Sequence, residues 1–461
     1  MRFRYSLIVG ALLVVIMGFA AQFSYAQSQP ATVAQPPAPT STLFENVRIF
    51  NGTSAQLSAP SNVLVVDHKI QKISTTSIPA PAGAITRING NGHTLMPGLI
   101  DDHVHLFMAA LPPEVLLSPN TSIETLNKTA ETTATGMLLR GFTSVRDLAG
   151  PVFDLKKAID AGKVVGPRIW PSGAMISQTS GHGDFRSLSD LPRTPTSPLS
   201  RGELLGAGAI ADGVDEVLRA TREQLMRGAS QIKLAAGGGV SSNYDPLDAS
   251  QYTESELHAA VEAAANWNTY VTVHAYTPTA IQTSIRAGVK CIDHGQLMDE
   301  ATAQIMAEKG IWLSIQPFLD TGTSAFPEGS PNRIKQQQMN QGTDIAYGLA
   351  KKYNLKTAWG TDQLWDAEQL KHQGEMLTRM VRWYTPAEVL KMATSTNAEL
   401  LTLSGPRNPY PGKLGVVEEG ALADLLLVNG DPLQNVKLIE NPDQNFSVIM
   451  KDGKIYKNTV R

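Results

Sequence analysis

Met96-Pro-Gly-Leu-Ile-Asp-Asp-His-Val-His-Leu106 is the stretch that decides how this chain of 461 residues is read. Leu95, Met96, Leu99 and Ile100 form a short apolar run, the mark of a buried strand, and the run ends in two histidines one residue apart. Residues i and i+2 of a strand face the same side, so His103 and His105 can present both imidazoles to one metal ion. A lone His-x-His is more often incidental than ligating. The reading therefore depends on whether later strands supply the remaining ligands.

Upstream, Arg2 and Arg4 precede an apolar stretch from Leu7 to Ala21, and Ser24-Tyr25-Ala26 supplies small residues for cleavage. Residues 1–26 are read as a signal peptide, which predicts a periplasmic or secreted protein. The stretch is short for a membrane anchor, and no other segment could span a bilayer, so no membrane association is expected after cleavage. Residues 27–42, rich in Pro, Ala, Thr and Gln without a charge, are read as a disordered linker. The formal net charge of −3 comes with no long run of one sign, which argues against nucleic acid or anionic lipid as partner. Cys291 is the only cysteine, so no intramolecular disulfide can form. Homo-oligomerisation is left open.

The remainder, roughly 400 residues, is long enough for one large domain and a smaller one. Short β-branched runs with turn residues between them occur at both ends: Asn46-Val-Arg-Ile-Phe50, Val63-Leu-Val-Val66 and Ile70-Gln-Lys-Ile73, then Ala423-Asp-Leu-Leu-Leu-Val428 and Phe446-Ser-Val-Ile-Met450. Residues 43–97 plus 408–461 are expected to pair into one β-sandwich. Residues 98–407 alternate strand and helix. The expected strands are Leu95–His105, Thr143–Asp147, Arg168–Ser172, Gln231–Ala235, Tyr270–His274, Cys291–His294, Ile311–Gln316 and Lys356–Asp362. Thr253-Glu-Ser-Glu256 reads as a capping box that opens one helix, and Thr385-Pro-Ala-Glu388 opens another with proline at the first helical position. Eight strands separated by helices over about 300 residues give an α/β fold of the (β/α)8 TIM-barrel type. A doubly wound sheet is the alternative, but its glycine-rich phosphate turn is absent. Arg186 to Gly213 and Leu319 to Thr343 read as long irregular loops after strands, at the barrel face that carries active sites.

The polar residues at the strand ends form a set. His103 and His105 end the first strand, Lys233 lies on the fourth, His274 and His294 end the fifth and sixth, and Asp362 ends the eighth. Each has an ordinary structural alternative, such as an N-cap for Asp362. Their placement at one end of five strands favours a shared site. His68, His93, His258 and His372 fall in turns or on expected helices and are assigned no role. Lys233 would repel a cation as an ammonium. After reaction with carbon dioxide its carbamate would be an anion able to bridge two ions.

With these pieces in that order, the chain resembles the amidohydrolase superfamily. Thr143-Ser-Val-Arg-Asp-Leu148, Ser180-Gly-His-Gly-Asp184 and Gly237-Gly-Gly-Val-Ser-Ser-Asn-Tyr-Asp-Pro-Leu247 look like its imidazolonepropionase-related branch. That branch contains metal-dependent Xaa-Pro dipeptidases, carboxypeptidase-like enzymes and ochratoxin-hydrolysing amidases. The resemblance implies two divalent metal ions: one held by His103, His105 and Asp362, the other by His274 and His294, with carboxylated Lys233 and a nucleophilic hydroxide shared between them. Imidazole and carboxylate ligands suit zinc without excluding manganese or cobalt. Asp362 would serve as proton shuttle. His182, on a glycine-flanked loop, would act in catalysis or substrate contact, and Tyr244 would hold a substrate carboxylate. The implied substrate is a small dipeptide-like or N-acyl-amino-acid amide. A cyclic-amide or imidazolone hydrolase and a non-catalytic metal- or ligand-binding barrel are the alternatives.

Overall fold

The computed structural model describes residues 40–79, 84–194, 196–320, 322 and 324–460. The expected signal peptide 1–26 and most of the expected linker 27–42 lie outside them. Ser41 and Thr42 are the exception. Composition placed them in the linker, but they open the first strand and are buried. Backbone pairing decides this: they face Val66 and Val65 on one side and Ile85 and Thr86 on the other.

Five strands precede the barrel: β1 (Ser41–Ile49), β2 (Ser61–Val66), β3 (Lys69–Ser74), β4 (Ile85–Asn89) and β5 (Thr94–Pro97). The first half of β1 runs antiparallel to β2 and parallel to β4, and Arg48 and Ile49 then pair in parallel with β5. The chain does not run straight from Leu95 to His105 as one strand. It breaks at Gly98, whose amide donates to the Asp424 carbonyl at 2.8 Å, so one apolar run serves two sheets.

The barrel strands follow: β6 (Leu99–Val104), β7 (Phe142–Asp147), β8 (Arg168–Pro171), β9 (Met175–Ser177), β10 (Gly208–Ile210), β11 (Ile232–Ala235), β12 (Val271–Ala275), β13 (Cys291–His294), β14 (Trp312–Ile315) and β15 (Lys356–Trp359). All neighbouring pairs are parallel, in the sheets β6-β7-β8 and β10-β9-β11-β12-β13-β14-β15. The third barrel strand is split: β8 pairs with β7, and β9 with β11. The fold is a TIM barrel whose last and first strands meet without a ladder. Side chains stitch that seam: the Thr361 hydroxyl donates to Asp101 at 2.7 Å, and Asn397 Nδ2 donates to the carbonyls of Ile100 and Trp359 at 2.8 and 2.7 Å.

Both expected helix starts open helices, Glu254–Asn266 and Pro386–Lys391, and the second also carries a capping box, Thr385 with Glu388. The stretch from Leu319 to Thr343 is irregular only in its first half. A helix spans Pro331–Lys352, its first turn capped by the Ser330 side chain, which accepts from the Arg333 amide. Arg186 to Gly213 contains the helix Arg201–Leu205 and strand β10. Among the described residues no helix is long and apolar enough to cross a membrane.

The last strands, β16 (Leu425–Val428), β17 (Phe446–Lys451) and β18 (Lys454–Asn458), return to the first: β16 is antiparallel to β5, with Met96 opposite Leu426. One apolar core runs from barrel residues such as Leu99 and Val145 into Leu426, Phe446 and Ile449 of this sheet. Arg168 locks the two together. Its guanidinium grips both oxygens of Asp424 at 2.8 and 3.1 Å and reaches Asp452 at 2.7 Å. Asp424 is buried, whereas the Asp452 side chain is 52% exposed. Asp424→Ala should therefore strand a buried charge and lower the unfolding free energy by about 3–5 kcal/mol. Asp452→Ala should cost no more than about 1 kcal/mol. Denaturant titration of both variants checks the contrast.

Candidate metal centre

Five barrel strands deliver their polar ends to one cavity of about 440 Å³. His103, His105, Lys233, His274 and His294 are all buried, and Asp362 is 14% exposed there. His105 Nε2 lies 3.0 Å and His103 Nε2 3.4 Å from Asp362 Oδ1. The His103 and His294 ring centres are 5.0 Å apart, and those of His274 and His294 4.5 Å. His103, His294 and Asp362 each bring a ligand atom within 4.8 Å of the others.

The backbone departs from strand geometry at two of these positions. His294 has φ of 83° and Asp362 of 49°, left-handed values uncommon outside glycine. The turn at His294 breaks the strand alternation, so adjacent Asp293 and His294 both reach the barrel interior. Such conformations persist where the surroundings hold them, often at functional sites. Asp362 is held by its amide, which donates to the His103 carbonyl at 2.8 Å. The approach needs Gly360: a Cβ there would lie 2.6 Å from the His103 nitrogen and 2.5 Å from Asp102 Oδ1.

Below the imidazoles is a buried charge network. Lys233 Nζ donates to Asp293 Oδ2 at 2.5 Å, and Arg146 donates to Asp293 Oδ1 at 2.9 Å and to Asp102 Oδ2 at 3.2 Å. Burial pushes the Asp293 carboxyl up, but Lys233 and Arg146 bring it below the ordinary value and keep it ionised. Burial also pushes Asp362 up, while the hydrogen bond from His105 and the neighbouring charges bring it net downward. Burial lowers the imidazoles, His294 to about 4, His182 to about 3, and His103 and His274 well below the ordinary value. They are neutral at neutral pH, the form that ligates metals.

These donors fit a divalent cation. His294 Nδ1 donates to Gln316 Oε1 at 2.7 Å and His274 Nε2 to the Gly238 carbonyl at 3.1 Å, which leaves a lone pair on the other nitrogen of each ring. His105 Nδ1 is buried without a hydrogen-bond partner. Neutral imidazoles beside an ionised carboxylate form an N/O donor set for a borderline or hard divalent ion.

A model described as the amidohydrolase family matches residues 94–459. The chain belongs to the amidohydrolase family. It is 33% identical over 414 residues to ochratoxinase of Aspergillus niger, covering 86% of this chain and 82% of that protein. A prolidase solved with N-methylphosphonate-L-proline is 31% identical with a TM-score of 0.81, across 91% of this chain and all of that one. A Xaa-Pro dipeptidase solved with methionine in its active site is 28% identical with a TM-score of 0.77 over the same shares. As an amidohydrolase the chain is a metal-dependent hydrolase of amide or peptide C–N bonds.

The second-tier residues expected from the sequence divide. His182 lines the cavity and stacks on His274 with ring centres 3.9 Å apart, its Nδ1 2.8 Å from Ser242 Oγ. Gly239 makes the room: a Cβ there would fall 1.8 Å from that ring. Tyr244 is not brought to the cavity. It is 37% exposed, on a loop whose carbonyl accepts from the Ser180 hydroxyl at 2.8 Å. The aromatic beside the imidazoles is Tyr276, with ring centres 4.8 Å from His274 and 5.2 Å from His294. Its signal was available, because Tyr276 follows His274 by two in Val-Thr-Val-His-Ala-Tyr and so shares its side. His372, given no role, lines the cavity wall. Asp293, Arg146 and Gln316 went unread.

Gly360→Ala should push β15 away from His103 and weaken divalent-metal binding by about ten- to a hundredfold, as loss of outer support does elsewhere. Metal content after dialysis against graded metal buffers, compared with the parent protein, measures it.

Proposed function

We propose that this amidohydrolase is an exported binuclear enzyme that cleaves the amide bond of a small dipeptide-like or N-acyl-amino-acid substrate. The observation that carries the reading is the convergence of His103, His105, Lys233, His274, His294 and Asp362 on one cavity. His103, His105 and Asp362 would hold one ion, and His274 and His294 the other, with carboxylated Lys233 shared. A carbamate keeps one N–H able to donate to Asp293, whose carboxylate is also held by Arg146 and the Thr272 hydroxyl. The imidazole-rich set favours zinc. When bound, such ions lower the pKa of water and polarise the amide carbonyl.

The chain's own groups supply the rest. Asp362, ionised and at the centre of the imidazoles, accepts the proton of the attacking water and returns it to the departing amine. His182 and Tyr276 flank His274 and offer hydrogen bonds to the substrate carbonyl. Burial holds the Tyr276 phenol well above its ordinary value, so it remains a donor at neutral pH. The cavity wall contributed by Phe318, Phe326 and Met339 suits an apolar side chain or acyl group. Ochratoxinase, a prolidase and a Xaa-Pro dipeptidase among the relatives support an acyl–amino-acid linkage as substrate. Export is supported by the basic and apolar pattern of residues 1–26.

Chelation should abolish turnover, and added zinc should restore it. Asp362→Asn should lower kcat about 10²–10⁴-fold, measured on N-acyl amino acids, Xaa-Pro dipeptides, ochratoxin-like amides and dihydropyrimidines. Full activity in this variant with metal bound would remove Asp362 as shuttle. Turnover of dihydropyrimidines alone would move the reading to cyclic amides. Separately, Lys233→Ala should retain fewer than two ions per chain by elemental analysis. Retention of both would exclude the carbamate bridge.

A further inference from the structure

The cavity wall after β15 carries a charge that hydrolysis does not use. Gln369, His372, Glu375, Met376 and Arg379 line the cavity. They recur every three or four residues along the consecutive turns Gln369–His372, Gln373–Thr378 and Arg379–Arg382, and so share one helical face. Most ionisable side chains of the cavity already have partners. Lys233 donates to Asp293, Asp362 accepts from His105, and Glu375 is taken by His372 at 2.6 Å. Arg379 has no ion pair or hydrogen bond from its side chain among the described residues, although Glu375 lies only one turn away. Its neighbour Arg382 is held by Asp344 at 2.6 Å.

A half-buried guanidinium beside apolar walls is better stabilised by an anion than by water alone. Its planar fork matches a carboxylate in two parallel hydrogen bonds. We propose that Arg379 binds a carboxylate of the substrate and so selects amides that carry a free acid away from the scissile bond. The inference rests on the amide-hydrolysing reading. The acid can be the α-carboxylate of the amino-acid half or an acidic side chain.

Three probes separate these sources: N-benzoyl-L-phenylalanine, its carboxamide, and the α-amide of N-benzoyl-L-glutamate, whose only acid is in the side chain. Each is assayed for turnover and titrated calorimetrically into the metal-loaded protein. Arg379→Met should raise KM and Kd for an acid probe about ten- to a hundredfold, the loss of a charge-assisted hydrogen bond, with kcat within about threefold. The carboxamide should be unaffected. Arg379→Lys should recover part of the loss, and Arg382→Met should change nothing. A loss confined to the phenylalanine acid assigns the α-carboxylate, and a loss confined to the glutamate amide assigns the side chain. Equal effects of Arg379→Met on acid and carboxamide, or no effect on either, overturn the proposal while amide hydrolysis stands. If the parent turns over none of the amides, hydrolysis of this class fails, and the titrations decide Arg379 by the same criteria.

Discussion

The carboxylate of Asp293 is the interaction on which the cavity floor depends. It is fully buried and accepts from Lys233, Arg146 and the Thr272 hydroxyl, the last at 2.9 Å. With Lys233 uncarboxylated, an ammonium and a guanidinium share one ionised acid in a space without bulk water, where an unpaired charge would be costly. Lys233 is thereby fixed in direction, and Arg146 is tied at once to β6 through Asp102 and to β13 through Asp293. Tyr270 and Cys291 complete its surroundings at 3.1 and 3.7 Å. The imidazoles above rest on this hydrogen-bonded base.

Above that base the protein gives up regular pairing where it places these imidazole and carboxylate groups. The ladder that joins the other barrel strands is missing between β15 and β6, the two strands whose ends carry Asp362 and the first two histidines. Side-chain hydrogen bonds from Thr361 and Asn397 replace it. They tie Asp101 and Ile100 of β6 to Thr361 and Trp359 at the end of β15. Left-handed backbone at His294 and Asp362 aims both groups inward. Strands thus fix the polar groups of the cavity, while the segments after β9, β14 and β15 form its walls.

The polar ends of the strands were legible because each stands where an apolar run stops: His103 and His105 after Leu99-Ile100, His274 after Val271-Thr-Val, Asp362 after Ala358-Trp-Gly. The barrel was legible from alternating strand and helix signals, and the terminal strands from their β-branched runs. What was hidden depends on geometry that sequence does not print. Alternation assigns Asp293 to the face opposite His294, and only the turn at His294 cancels that rule. Arg146 and Gln316 look like ordinary strand polars until the barrel brings β6, β7, β13 and β14 together. Tyr244 was read by motif proximity, but its loop folds outward, anchored by Ser180. The break at Gly98 was signalled by the turn dipeptide Pro97-Gly98, which the apolar residues on either side outweighed.

That break has a consequence for how the chain is made. During synthesis β5 emerges early, with Leu95 and Met96 at a strand edge, while its antiparallel partner β16 is translated only after the whole barrel. Until then the edge is an open template of unpaired backbone groups for another chain. In the finished fold the strands β16, β17 and β18 close this margin as a clasp. A ribosome stalled late, or a protease acting near the C-terminus, would leave a nearly finished barrel with a sticky margin. The β16–β18 segment therefore guards the chain against self-association, although it supplies none of the proposed metal ligands.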